Sequence, residues 1–479
     1  MPDALPWDAL LRAALPTPPA PPASQWLQAL LARNHHCAYL RQHGAPPRSL
    51  AEFRAALPPV SYEELTPWLQ RLAAGEADVL FAGRPIAWER TGGSSSGAKL
   101  IPYSAAGLAD FQRAVLPWLA QTVRQHGIRG SAYLALSPAT RLPEQIGGVP
   151  VGLPDGAYLG EAAGAALARV SAVPLALAAE PDVTTWRART VAALRQAHDL
   201  ELISVWSPTF MLRLLDELDA DPRACWPGLK LVSCWASGSA APFAAELARR
   251  LPHAQLQPKG LLSTECVVTL PGPDGRARLN PHGLFEFLTD DGQLLLADEL
   301  TPGECYEVLA TSASGLYRYR TGDRVRCDAL AEADTLHDGG PVLSFLGRSG
   351  LRCDLVGEKL TEPFVAEALR GVPVFCFLAP AADQRSYLLL ADAAAPPTGP
   401  APETWLNSVE QALRRNPQYA YACDLGQLQP VRLQLVPALP DRYTDLLVAR
   451  GVRLGDVKPV ALRPETTWAA QLAGRSLAA

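Results

Sequence analysis

The period of apolar and polar positions changes several times along the chain, and the changes divide it. Residues 7–15 place apolar side chains at helical spacing, and the proline-rich stretch 16–22 cannot continue that helix. A longer helix is expected over residues 24–42. Ser61-Tyr62-Glu63-Glu64 is a capping-box pattern, in which a hydroxyl and a carboxylate satisfy the free N–H groups of a helix start, and it predicts a helix through Leu72. Helical spacing returns over 106–124. Then β-type runs at 131–137, 200–206 and 229–233 alternate with helical runs at 209–218 and 241–251. That order predicts parallel strands with crossover helices, an α/β layer.

Beyond residue 255 the pattern is mostly β, with runs at 266–270, 284–288, 293–297, 306–311, 324–327 and 342–346. A small barrel or antiparallel sheet attached to the α/β layer would account for it. From Leu351 the chain reads as a small α+β unit, with helices over 362–369 and 404–415 and strands over 374–378, 387–390 and 431–436. Residues 393–402 form a Pro/Ala surface loop within it. No internal repeat is present.

Composition narrows the class. A chain of 479 residues holds at least two domains, and a net charge of −5 without a lysine-rich run gives no footprint for nucleic acid or an anionic membrane. Nine cysteines without a C-x-x-C pair, and without histidine at ligand spacing, argue against a disulfide framework or a zinc site. They read as reduced thiols of a cytoplasmic protein. No stretch approaches the ~20 apolar residues of a transmembrane helix. The first 15 residues lack the pattern of a signal peptide.

The densest chemistry lies in Glu89-Arg90-Thr91-Gly92-Gly93-Ser94-Ser95-Ser96-Gly97-Ala98-Lys99. Its glycines free backbone N–H groups to face an anion, its hydroxyls donate further hydrogen bonds, and Lys99 adds a mobile charge. A flexible Gly/Ser linker has the same composition, but this one is short and runs at once into the ordered pattern of Leu100-Ile101-Pro102-Tyr103. Only five of the 43 basic residues are lysine (Lys99, Lys230, Lys259, Lys359 and Lys458), so a retained lysine is informative. The loop fails the Walker A pattern: Ala98 stands where the lysine belongs, and Leu100 follows Lys99 in place of a magnesium-binding hydroxyl.

Four further segments carry candidate chemistry. In Lys259-Gly260-Leu261-Leu262-Ser263-Thr264-Glu265-Cys266, Thr264 and Glu265 offer a hydroxyl and a carboxylate at a strand end, and Glu265 suits Mg²⁺; a solvated loop carboxylate is the plainer reading. In 315–323, aromatic residues and arginines alternate as on a strand ending in a Gly-Asp turn, and Asp323 can hold a ribose diol or simply make the turn. Arg348 lies at the apparent domain boundary, and Lys359 beyond it suits a phosphate or a carboxylate partner. Lys458 sits in the short loop Leu454-Gly455-Asp456-Val457-Lys458-Pro459.

In this order the segments resemble the adenylate-forming superfamily of acyl and aryl acid ligases. The finer detail resembles one branch, the auxin-responsive-promoter (Gretchen Hagen) family of acyl acid amido synthetases and its bacterial relatives. That detail is Pro58-Pro59-Val60-Ser61-Tyr62-Glu63-Glu64-Leu65, the Leu-Tyr-Arg-Tyr-Arg form of 316–320, Asn416-Pro417-Gln418-Tyr419 and the ending 454–459. The resemblance implies an adenylate-forming α/β fold. Its large N-terminal domain, residues 1–348, would carry a β-barrel-like part, and a small mobile α+β domain would occupy 349–479.

The resemblance also implies ATP and Mg²⁺ as cofactors, with Ser94, Ser95, Ser96, Gly97 and Lys99 on the phosphates. Thr264 would lie by the α-phosphate, Glu265 on the metal and Asp323 on the ribose. Arg348, Lys359 and Lys458 would contact phosphate or the reacting carboxylate, with Lys99, Arg348 and Lys458 as the catalytic cations. The acid pocket would draw on residues 111–124, with Trp118 and Arg124 as candidates. Two features depart from the plant pattern: all three loop hydroxyls are serine, and Leu261-Leu262-Ser263 stands where many relatives carry an aromatic residue.

The activity so implied is ATP-dependent activation of a carboxylic acid followed by transfer to an amine, with an amino acid as the expected acceptor. A coenzyme A or carrier-protein thiol is the alternative acceptor. A non-catalytic nucleotide- or acyl-binding protein is an alternative of another class, disfavoured by the presence of Lys99, Glu265, Asp323 and Lys458.

Overall fold

Buried Asn34 ends the first long helix of the chain and shows why it ends. In this computed structural model, which describes residues 6–13, 21–44, 47–91, 99–134, 144–153, 155–330, 340–348, 351–394 and 401–473, the expected helix over 24–42 is two helices, Ala23–Asn34 and Ala38–Gln42. The Asn34 amide donates to Tyr317 Oη at 2.9 Å and accepts the Ala82 N–H at 3.1 Å. The next residues bond Asp78 and Val79 through the N–H groups of Ala38 and Tyr39. These bonds replace the helical ladder. The helix Tyr62–Ala73 begins on the complete Ser61/Glu64 capping box.

The chain forms two compact units. Among the described residues, the first takes in those up to Phe345 apart from Gly238–Ala241, and the second takes in Gly238–Ala241 and those from Leu346 onward. In the first, the strands Ser131–Leu134, Leu200–Ser204, Leu231–Cys234 and Gln255–Pro258 lie side by side in that order, all parallel. The helices Val183–Gln196, Pro208–Leu218 and Ala241–Arg250 make the crossovers, as the alternating periods require. Ser204, Ser233 and Gln257 share one register row near the C-terminal edge of this sheet.

The later β pattern becomes a seven-stranded sheet in the order Leu294–Leu295, Leu284–Leu288, Cys305–Thr311, Tyr319–Ala329, Val342–Arg348, Ala277–Leu279 and Thr269–Pro271. Two expectations are corrected. The strand expected over 266–270 forms only at Thr269–Pro271, because residues 262–267 fold back in a tight hairpin with Leu262 opposite Val267. The 315–323 segment does not end in a Gly-Asp turn: its strand begins at Tyr319 and runs through Gly322 and Asp323 to Ala329. A β-bulge absorbs the turn chemistry, with Gly322 at φ 76° and Thr321 Oγ1 donating to Val308 O at 2.9 Å.

The second unit packs the sheet Cys376–Pro380, Tyr387–Asp392 and Arg432–Val436 against the helices Glu362–Ala368, Pro402–Leu413 and Pro417–Asp424. Its α+β character follows the expected element order. The helix expected at 404–415 begins two residues earlier, with Pro402 in its first turn.

Candidate active site

The glycine-serine loop joins two antiparallel strands, Ala87–Arg90 and Leu100–Tyr103. Ser94, Ser95, Ser96 and Gly97 lie outside the described residues. The loop's base is closed by Thr91 N–H donating to Lys99 O at 2.9 Å and Lys99 N–H donating to Thr91 Oγ1 at 3.1 Å. Lys99 Nζ donates to Tyr319 Oη at 3.3 Å and lies 5.1 Å from the centroid of the Tyr62 ring. A cation resting on an aromatic face is held without being neutralised by a carboxylate. The loop and the Tyr-Arg-x-Gly-Asp segment, 220 residues apart, thus meet at one lysine.

Thr264 and Glu265 form the tip of the 262–267 hairpin, and Tyr103 Oη fixes the tip by donating to Thr264 O at 2.9 Å. Glu265 is 7 % exposed, and its buried Oε1 has no hydrogen-bond partner. An orphaned buried carboxylate oxygen is costly in a finished protein, and an oxygen-seeking divalent cation would relieve it. Glu265 therefore fits Mg²⁺. Asp323 is 3 % exposed. The neighbouring Cys266 thiol is pushed up by burial, then by the charges of Glu265 and Asp323. The Tyr103 phenol is pushed up by burial, then by Glu89 and Glu265. These mutual effects place Glu265, Asp323, Cys266 and Tyr103 in one neighbourhood. A cleft opens there, lined by Tyr103, Phe111, Thr264, Glu265, His282 and Ser314 among others.

Arg318, inside the same motif, has a structural use. With φ 52° it turns inward, meets Glu286 in a two-pronged ion pair at 2.8 and 2.9 Å, and donates to the carbonyls of Arg54 and Leu57. It ties the N-terminal helices to the large sheet.

In the second unit, Arg348 ends the strand Val342–Arg348, and its N–H donates to the buried Glu362 carboxylate at 3.3 Å. Burial raises the Glu362 carboxyl, against the pull of backbone hydrogen bonds and of the Arg348 and Arg463 charges. Lys359 is exposed on a turn with φ 49°. Lys458 is also exposed, and its backbone is anchored by Tyr443 Oη donating to Lys458 O at 2.8 Å. Downstream, Leu378 N–H donates to Ala461 O and Arg463 N–H to Leu378 O, both at 2.8 Å. The loop is thus strapped to the sheet.

Of the two acid-pocket candidates, only Trp118 is buried. It packs with Phe111, Leu262, Val267 and Trp206, whereas Arg124 is exposed in the last turn of the helix Ala105–Gln125. Sequence reasoning missed Lys259, whose buried Nζ donates to Ser204 Oγ at 2.6 Å. Its rarity as a lysine at a strand end was the available signal. It also missed that Asp78 joins His36 and Cys37, their ligand atoms within 4.8 Å of one another. There Asp78 accepts from Gly83 N–H, and burial pushes the Cys37 thiol up to about 12.

Among the described residues, no helix is long and apolar enough to cross a membrane. All nine cysteines are free thiols.

Comparison with known proteins adds the family. Residues 19–224 match the GH3 family N-terminal domain and residues 279–348 the GH3 family central domain, together more than half of the chain. The chain is 24 % identical over 408 residues to a putative indole-3-acetic acid-amido synthetase GH3.10 of Oryza sativa subsp. japonica, covering 72 % of this chain and 81 % of that protein. A probable indole-3-acetic acid-amido synthetase GH3.1 of the same plant is 24 % identical, covering 91 % and 86 %. Among solved structures, a GH3.15 acyl acid amido synthetase superposes with a TM-score of 0.78 at 17 % identity over 94 % of this chain and 93 % of that one. A 2-hydroxyisobutyryl-CoA ligase in the postadenylation state gives 0.59 at 15 % identity over 95 % and 92 %. The fold is therefore the adenylate-forming α/β fold, and the chain belongs to the GH3 family of acyl acid amido synthetases, which are adenylate-forming ligases.

Proposed function

We propose that the enzyme makes an amide in two steps. In the first, a carboxylate oxygen of the acid attacks the α-phosphorus of ATP, the bond to the β-phosphate breaks, and pyrophosphate leaves with the electron pair. In the second, an amino acid's amine attacks the acyl carbon, the bond to AMP breaks, and the amine loses a proton to solvent. The supporting observation is the buried Glu265 carboxylate, whose Oε1 has no hydrogen-bond partner among the described residues, beside Thr264 and in the neighbourhood of Asp323, in a chain of this family.

In this reading Ser94, Ser95, Ser96, Gly97 and Lys99 hold the phosphates, Thr264 lies by the α-phosphate and Asp323 holds the ribose hydroxyls. Glu265 would hold Mg²⁺, which supplies charge neutralisation for the polyphosphate. Lys99 keeps its charge available because aromatic faces hold it. Residues 349–479 act as a mobile domain, with Arg348 at its boundary, that brings Lys359 and Lys458 to the nucleotide or the acyl group in turn. Trp118 walls the acid site. We place the chain with bacterial-type members of the family and in a reducing, cytoplasmic setting. The first placement rests on the all-serine loop and Leu261-Leu262-Ser263, the second on the nine free thiols.

The test is acid-dependent exchange of labelled pyrophosphate into ATP, followed by product analysis with amino acids and with coenzyme A. Exchange and an amide product support the reading. A thioester product moves the enzyme to the alternative acceptor, and no exchange with any acid of a broad panel overturns the reading.

A further inference from the structure

Lys259 is the first residue after the strand Gln255–Pro258, at the C-terminal edge of the parallel sheet where ligands of α/β proteins bind. It is 3 % exposed. Taking an ammonium out of water costs several kcal/mol, so a buried lysine needs compensation. Here the compensation is incomplete: one hydrogen bond to Ser204 Oγ and the faces of Trp118 and Trp206, whose centroids lie 5.2 and 5.0 Å from Nζ. No carboxylate pairs with it among the described residues.

The floor beneath Lys259 is polar as well. Ser204, Ser233 and Gln257 stand side by side in register on one face of the sheet, and residue 259 follows Gln257 at the alternation that keeps that face. Ser233 Oγ and Gln257 Oε1 are buried without a hydrogen-bond partner, as is Trp118 Nε1. A buried cation, two orphaned donors in Ser233 Oγ and Trp118 Nε1, and two indole walls are an expensive arrangement unless something with negative charge completes it.

The cluster shares elements with the cleft already described. Phe111 lines that cleft and also packs in the apolar group containing Trp118, two turns further along the same helix face. Thr264 and Glu265 lie at the tip of a hairpin whose base, Leu262 and Val267, packs against Trp118.

We propose that Lys259, with Ser233, receives a second anionic group of the acid substrate, at the end of the molecule opposite the carboxylate that is activated. The enzyme then selects aromatic acids carrying a remote carboxylate or phenolate, with Trp118 and Trp206 flanking the ring. This assignment rests on activation of the acid beside Thr264 and Glu265.

The experiment measures pyrophosphate exchange with acid pairs that differ only in the remote group, such as benzoate and terephthalate. The wild-type enzyme is expected to favour the diacid at least tenfold in kcat/KM. Lys259→Met should lower that ratio at least tenfold, mainly through KM of the diacid, and Lys259→Arg should keep more of it. Ser233→Ala should lower it less. Exchange with both acids but no preference in the wild type overturns the assignment without any variant having to fold. An unchanged ratio in Lys259→Met does the same. No exchange with any acid overturns the adenylation reading on which it rests.

Discussion

Lys99 and Glu265 are two residues left chemically unfinished in opposite senses. Lys99 is a cation held by the Tyr62 ring and the Tyr319 hydroxyl, with no carboxylate partner among the described residues. Lys99→Ala should lower acid-dependent exchange more than tenfold, whereas Tyr319→Phe, which removes only a hydroxyl, should cost severalfold at most; near-normal exchange in Lys99→Ala contradicts the phosphate role. Glu265→Gln keeps the shape and loses the charge. It should raise the Mg²⁺ concentration needed for half-maximal exchange, and an unmoved Mg²⁺ dependence contradicts the metal role. At Lys259, burial lowers the amine from its ordinary 10.5 to about 8, opposed by the Cys234 thiol, itself pushed up to about 12. Between about 8 and 10.5 the unfolded chain binds more protons at this residue than the folded one, so its contribution to stability rises with pH there. The melting temperature of wild type minus that of Lys259→Met should therefore climb from pH 8 to pH 10; a flat difference contradicts the lowered amine.

At the scale of elements, the motif arginine Arg318 serves architecture. Arg318→Met leaves the buried Glu286 with only the half-exposed Arg54 at 2.9 Å, and breaking such a pair costs about 3–5 kcal/mol. A lower denaturation midpoint for the first unit, with the second unchanged, is the expected result; an unchanged midpoint contradicts the tie. The helix starting at Ser61 and the alternation of strands with helices were legible because capping and period are local signals. The break after Asn34 was not, since its cause is Tyr317, 283 residues away. The bulge at Gly322 was read as a turn for the same reason: whether a Gly-Asp pair turns the chain or bulges a strand depends on the partner, here Cys305–Thr311. At the site, Thr264 and Glu265 were visible as types in a known order. The Lys259 cluster was not, because Ser204, Ser233 and Gln257 come together only through sheet register. Gly260 follows Lys259 at φ 80°, and a Cβ there would lie 2.5 Å from Thr269 O.

In the whole molecule, a large unit holds Lys99, Glu265 and Asp323, and a small one holds Arg348, Lys359 and Lys458. If the small unit serves the two chemical steps in different arrangements, Lys458→Ala should slow one half-reaction far more than the other. Pyrophosphate exchange and amide formation from a supplied acyl-adenylate should then separate by at least tenfold, and equal slowing contradicts the division of labour. The central claim is that this chain activates a carboxylic acid as its adenylate and passes it to an amino acid. Its most direct test follows one reaction mixture of acid, ATP, Mg²⁺ and amino acid by mass spectrometry while exchange of labelled pyrophosphate is measured. The account predicts exchange that needs the acid, then AMP and an N-acyl amino acid in equal amounts. Exchange with no acid of a broad panel, or formation of ADP in place of AMP, would contradict it.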